Sequence, residues 1–215
     1  STSSVQSAEE PRTAPVSMAI KVALSALLFL SYMLFAVAWN WGDLYVRGLG
    51  FSASRTALMT NAITLAQVIG SLVAANILLR LGPRNAFTLA SVLIVFGGLV
   101  SLTDAFPLIF FIRFVLGLGG ALMVVLLSGI VARLLTGRAL QVANGVNSVA
   151  FNTGLAVALT FSVQLAENPA FAVVLAASLS LVLLILWLVI ARRGLGARNQ
   201  TTVAVDSSYT MRDGF

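Results

Sequence analysis

Between Met18 and Ala191 the chain runs through six apolar segments of membrane-spanning length, joined by short polar turns, and none carries an acidic residue in its middle. About 20 residues at a helical rise are needed to cross a hydrocarbon core roughly 30 Å thick. The spans fall near 22–41, 56–79, 86–102, 108–134, 139–166 and 170–191. They are punctuated by Gly48 and Gly50 with Ser52 and Ser54, by Gly82-Pro83, by Asp104 to Pro107, by Thr136-Gly137 and by Asn168-Pro169. The pattern predicts an all-α membrane protein of six transmembrane helices. Residues 1–17 read as a disordered tail, 18–193 as the transmembrane domain, and 194–215 as a polar tail or the start of a central loop. No positive stretch followed by a short apolar core marks a removable leader.

Chemistry in such a chain must come from scarce polar side chains. Hydrophobic residues make up 59% and charged residues 9%, against about 25% charged in soluble domains. Cys and His are both missing, which excludes disulfides, thiol nucleophiles, Cys/His metal sites and imidazole proton relays. No cofactor is expected. The net charge of +6 is spread over the ends of the spans, so it encodes topology and not a nucleic-acid surface. Arg12, Lys21, Arg80, Arg84, Arg133, Arg138, Arg192, Arg193 and Arg198 collect on one side; Arg47 and Arg55 lie on the other with Asp43, Asp104 and Glu167. Basic residues stay cytoplasmic, so both termini are expected there, and the Asn199-Gln200-Thr201 sequon is a chance match. An Ala-, Leu-, Val- and Arg-rich composition with one Lys suits a GC-rich bacterial genome, and a bacterial inner membrane is the expected location.

The turn after the second span reads Ala75-Asn76-Ile77-Leu78-Leu79-Arg80-Leu81-Gly82-Pro83-Arg84. It resembles the Gly-x-Leu-Ala-Asp-Arg-x-Gly-Arg-Arg signature between helices two and three of the major facilitator superfamily of transporters. Arg80, Gly82 and Arg84 match, whereas Ala75 stands for the first Gly, Leu79 for the Asp and Pro83 for a basic residue. In the family that Asp takes part in a charge relay latching the cytoplasmic gate, so here the latch is weakened or built otherwise. Arg113-Phe114-Val115-Leu116-Gly117-Leu118-Gly119-Gly120 in the fourth span looks like the family's Arg-x-x-Gln-Gly-x-Gly, with Leu116 for Gln. The resemblance covers the hydrophobic region as the N-terminal six-helix half of what is usually a twelve-helix transporter. It implies two inverted three-helix repeats, near 22–102 and 108–191.

Helical periodicity places polar residues in stripes. Ser25, Tyr32, Trp39 and Asp43 line the first helix; Thr60, Thr64, Gln67 and Ser71, with Asn61 at the edge, line the second; Asn144, Asn147, Ser148 and Asn152 line the fifth. The third and sixth are almost purely apolar, so helices one, two, four and five are expected to pack inward and three and six outward. Tyr32, Asn61, Gln67, Arg113, Asn147 and Asn152 are the candidate substrate-binding residues, and Arg80, Gly82 and Arg84 the candidate gating loop.

Arg113 is the one ionisable residue clearly within a span, roughly 9 Å along the axis from Pro107. A mid-helix charge costs about 2.5–3.5 kcal/mol on insertion scales. It either binds a polar or anionic group in a cavity or braces helix one through a carbonyl or Asp43. Gly117, Gly120 and Gly154 are candidate packing positions, since small residues let helices approach closely in lipid. Asn144, Asn147 and Asn152 suit either interhelical bonding or solute contact. Trp39 and Trp41 sit where an interfacial aromatic belt belongs, the reading preferred for Trp41.

Rival six-helix chemistries lack their residues. Asn168-Pro169-Ala170 copies a water-channel signature only once, and a rhomboid-like protease would need a His. No buried carboxylate supports proton coupling, and Arg113 without a carboxylate disfavours organic cations. The leading expectation is half of a transporter, not an enzyme, moving a small neutral or anionic solute by alternating access when paired with a second six-helix half. The alternative is a non-transporting subunit that kept the fold for assembly or scaffolding of a larger complex. The expected partners are the lipid bilayer, a second half and a small solute.

Overall fold

A computed structural model of the protein describes residues 17–194. The tails, with Arg12, Arg198 and the sequon, lie outside the described residues apart from Ser17 and Gly194. Every regular element among the described residues is helical: α1 Met18–Gly48, α2 Ala53–Phe96 continued by a 3-10 segment Gly97–Leu102, α3 Phe106–Leu134, α4 Gly137–Ser148, α5 Ala150–Leu165 and α6 Pro169–Gly194. The fourth expected span is α3, and the fifth is α4 and α5 together.

Local chemistry sets the ends. Ser17 Oγ accepts from the Ile20 amide at 3.4 Å and Ser52 Oγ from the Arg55 amide at 3.4 Å, so α1 and α2 each start on a capping hydroxyl. Asn168 Oδ1 accepts from the Phe171 amide at 3.2 Å at the head of α6. Pro107 occupies the first turn of α3, where a missing amide hydrogen costs nothing.

Five helical stretches are long and apolar enough to cross a membrane. One of them, Ala53–Leu102, has 50 residues. At a 1.5 Å rise this would be about 75 Å if straight, well beyond a bilayer core. It is broken at Gly82, whose φ of 72° and ψ of 167° are open only to glycine, followed by Pro83, which cannot continue the ladder.

Burial centres on α3. Ile109, Ile112, Arg113, Leu116, Met123, Leu126 and Ile130 are covered on that helix, packed chiefly against α2, with Leu24, Leu28 and Phe35 of α1 alongside. The broad apolar face of α6, including Phe171, Val182, Ile185 and Val189, is exposed and suits lipid.

Three expectations need correction. The first helix does not end at 41 but runs through Gly48, and Asp43 stands on it in the same stripe as Ser25, Tyr32 and Trp39. The fifth span is not packed inward: α4 buries no residue and α5 only Ala150, Gly154 and Ala158, so Asn144, Ser148 and Asn152 are exposed. Trp41 is no belt residue; it is 4% exposed, and its Nε1 donates to the Ala158 carbonyl at 3.2 Å, pinning α1 to α5.

Candidate functional site

Two constellations of polar groups stand out, one dry and one open. The dry one is built on Arg113. From α3 its guanidinium reaches across the core, 1% exposed, and pairs with the Asp43 carboxylate of α1 through Nη2. Nε donates to the Met59 carbonyl of α2 at 3.1 Å, and Thr60 Oγ1 of α2 donates to Asp43 Oδ1 at 3.0 Å. One cation thus ties three helices together. The third nitrogen, Nη1, is buried without a partner and lies over Gly42, where any Cβ would stand 2.5 Å from it. Glycine is needed there for space. Removing a cation from water costs several kcal/mol, recovered only when geometry and additional hydrogen bonds are good. The pair, the carbonyl and the Thr60 hydroxyl supply them.

The open constellation lies at the seam of α1 with α4 and α5. Near the middle of the seam the helices touch closely: Gly154 sits on the Met33 carbonyl of α1 with Ala36 beside it, leaving no room for a side chain. Toward the start of α1 they diverge, leaving a cavity of about 690 Å³. Its wall is nearly all apolar, with Ser25 and Asn147 among the few polar groups, and neither Ser25 Oγ nor Asn147 Nδ2 has a hydrogen-bond partner. Four rings sit beyond the cavity: Tyr32, Phe35 and Trp39 from α1 and Phe151 from α5. Tyr32 and Phe151 are 5.8 Å apart between centroids, and Trp39 and Phe151 5.9 Å. Aromatic pairs at such spacing add to the burial they already provide.

The six candidate substrate residues are not gathered in one pocket. Asn147 lines the cavity; Tyr32 stands in the ring cluster above it; Arg113 is in the dry cluster. Asn61 is exposed and Gln67 half-buried on α2, and Asn152 is exposed on α5. In the loop, Arg80 is exposed and Gly82 forms the break. Arg84 is half-buried, and its carbonyl accepts from Trp187 Nε1 at 3.3 Å and from Thr88 Oγ1 at 2.9 Å. Gly117 faces Ile63 and Ala66 of α2, where a Cβ would lie 2.5 Å from the Ile63 carbonyl, and Gly120 supports the Phe35 ring.

Trp187 was not singled out from sequence. Fully buried in α6, it packs on Phe87 with centroids 4.0 Å apart and the rings tilted by 40°, and holds the far side of the α2 break. Its signal was a lone indole in an otherwise aliphatic run. Thr60 was seen only as one member of a stripe, and Met59 gave no signal because its backbone carbonyl does the work.

The family model described as Major Facilitator Superfamily matches residues 23–206. An uncharacterised protein of Campylobacter jejuni is 23% identical over 199 residues, covering 89% of this chain and 62% of that protein. A crystal structure of a POT family transporter in complex with a thioalcohol-conjugated peptide superposes with a TM-score of 0.67 at 21% identity, covering 82% of this chain and 39% of the transporter. The chain therefore spans less than two thirds of the length of either protein. With the family model matched from the first helix through the last, this chain belongs to the Major Facilitator Superfamily of membrane transporters.

Proposed function

We propose that the chain is one six-helix half of a transporter that moves a small neutral or anionic solute by alternating access once a second half is in place. The break at Gly82 is then a cytoplasmic turn, dividing Ala53–Leu102 into two crossings and making six in all. Spans one to three and four to six form the inverted repeats, and residues 18–193 form the transmembrane domain. Both termini are cytoplasmic, in a bacterial inner membrane. The second half is another copy, another chain or the continuation of a longer one.

One observation carries this reading: the polar stripes of the second and fifth spans face out of the unit. Asn61, Thr64 and Ser71 on α2, Asn144 and Ser148 on α4 and Asn152 on α5 are exposed. Polar groups facing hydrocarbon are costly and rare, and at membrane depth they face a bundle interior or a water-filled cavity. A site between two rocking halves is such a cavity. Tyr32, Asn61, Gln67, Asn147 and Asn152 are its proposed solute contacts; Arg113 serves as a brace beside it, and Arg80, Gly82 and Arg84 as the gate.

The scaffold reading is favoured by Leu79, exposed where the family has Asp, and by Arg80 and Arg84, which form no ion pair among the described residues. Cysteine placed singly at Gln67 and Asn152, in a chain with no native Cys, separates the two. With the protein in proteoliposomes, maleimide labelling is expected to change several-fold when a transported solute from a panel of neutral and anionic compounds is added. Uniform protection at both sites across the panel would leave the scaffold.

A further inference from the structure

We infer that the cavity between α1 and α4 is a binding site for an amphipathic organic anion, a small solute with an apolar body and one acceptor group; this rests on the transporter reading and names the class of solute. Three observations converge. The first is size and wall. About 690 Å³ falls within the range of small-molecule sites, and the surface is formed by side chains such as Val22, Phe29, Leu30, Val142 and Val146. A sugar or other polyhydroxylated solute would leave most of its hydroxyls without partners on such a wall, at a cost of about 1–3 kcal/mol for each buried group. An apolar body would be stabilised.

The second is the pair of unsatisfied polar atoms. Several hydroxyls elsewhere in these helices turn back on their own backbone, as Ser71 does to the Gln67 carbonyl, Thr88 to Arg84, Thr153 to Val149, Thr160 to Ala156 and Ser180 to Ala176, while Ser91 Oγ is buried without a partner away from this cavity. Ser25 does not turn back; its Oγ is buried and unpaired on the cavity wall, and Asn147 Nδ2, a donor, is buried and unpaired on the opposite helix. These two groups, on two different helices, both line the cavity. Each can donate to an acceptor oxygen of a ligand. Asn147 Nδ2 can only donate, so it calls for an acceptor on the ligand.

The third is charge. Arg138, in the first turn of α4, is the one ionisable residue among those lining the cavity, and it is exposed. Its field favours an anion over a cation at the mouth. Nothing acidic lines the cavity to offset it.

The test uses the intact protein in lipid nanodiscs and 4-benzoylbenzoate, an apolar photoreactive carboxylate, with adducts mapped by peptide mass spectrometry. Adducts are expected to concentrate in segments 18–30 and 135–147. Asn147→Leu should lower them about fivefold, the loss of roughly one hydrogen bond. Ala26→Trp, which fills the cavity from an exposed position, should abolish them, and a benzophenone bearing a quaternary ammonium should label these segments several-fold less. Adducts spread evenly over the lipid-facing side of α6, or insensitive to both substitutions, would overturn the site. So would a groove that takes no label in the intact assembly, which would mean that a lipid or the second half occupies it. Cysteine access at Gln67, read in the same samples, separates the two claims. Solute-driven change there without groove labelling removes this site and leaves transport standing; groove labelling without any such change keeps the site and removes transport.

Discussion

The same helix, α1, makes two opposite kinds of contact. At its far end Asp43 locks Arg113 into a dry cluster with α2 and α3, where nearly every polar atom has a partner. At its near end Ser25 faces a cavity and Asn147 across a seam that has come apart. A charge buried for structure is surrounded by its partners at the moment of folding. Polar atoms left unpaired beside empty space are what a ligand site looks like before its ligand arrives. On this contrast Arg113, the most conspicuous residue in the sequence, is held among partners, and the modest Asn147 lines the cavity proposed as the site.

The largest effect is expected from breaking the frame. Asp43→Leu leaves a buried guanidinium without its counter-charge, a change that costs about 3–5 kcal/mol in comparable buried pairs. Thermal unfolding of the detergent-solubilised protein should show a steep fall in midpoint. The double variant Asp43→Leu/Arg113→Leu should recover most of the loss. A single variant as stable as the parent would show that the cluster is no brace.

Next comes the hinge of the seam. Gly154→Leu drives a side chain into the Met33 carbonyl, and backbone cannot swing aside as a side chain does. Overpacking of this kind costs about 1–3 kcal/mol, and here it should also widen the seam. Lower thermal stability with faster labelling of a cysteine at Tyr32 is expected; unchanged labelling would mean that the crossing does not set the cavity.

These two regions were unequally legible. The spans could be read because apolar runs report membrane crossing directly, and Gly82-Pro83 could be read because no other pair breaks a helix so cleanly. Arg113 was visible as a buried charge, and a carbonyl and Asp43 were its alternative partners; the structure gives it both, the Met59 carbonyl and the Asp43 carboxylate. Trp41 looked interfacial because its place in the hydropathy profile says nothing of α5 beside it. The cavity was illegible because it depends on how two helices lie against each other, and their close contact, at Gly154 and Met33, is made by residues that do not line it.

A smaller effect tests the turn. Trp187→Phe keeps a ring against Phe87 but removes the hydrogen bond to the Arg84 carbonyl and leaves a small void where the buried indole was, so about 1–2 kcal/mol is expected in the same unfolding assay. Loss several times larger would mean that the indole does more than hold the break. Smallest of all is Asn147→Leu, which should leave stability within about 0.5 kcal/mol of the parent or raise it slightly, because the amide it removes has an unpaired nitrogen. Marked destabilisation would place Asn147 with the frame.

The central claim is that the outward polar stripes await a second half. Native mass spectrometry of the assembly, extracted gently from its membrane into nanodiscs, tests it most directly. The expected result is two six-helix halves in one particle, whether as two copies, two different chains or a single longer polypeptide. A lone six-helix unit that is stable with its stripes against lipid, or incorporation into a large complex with no second half, would contradict it.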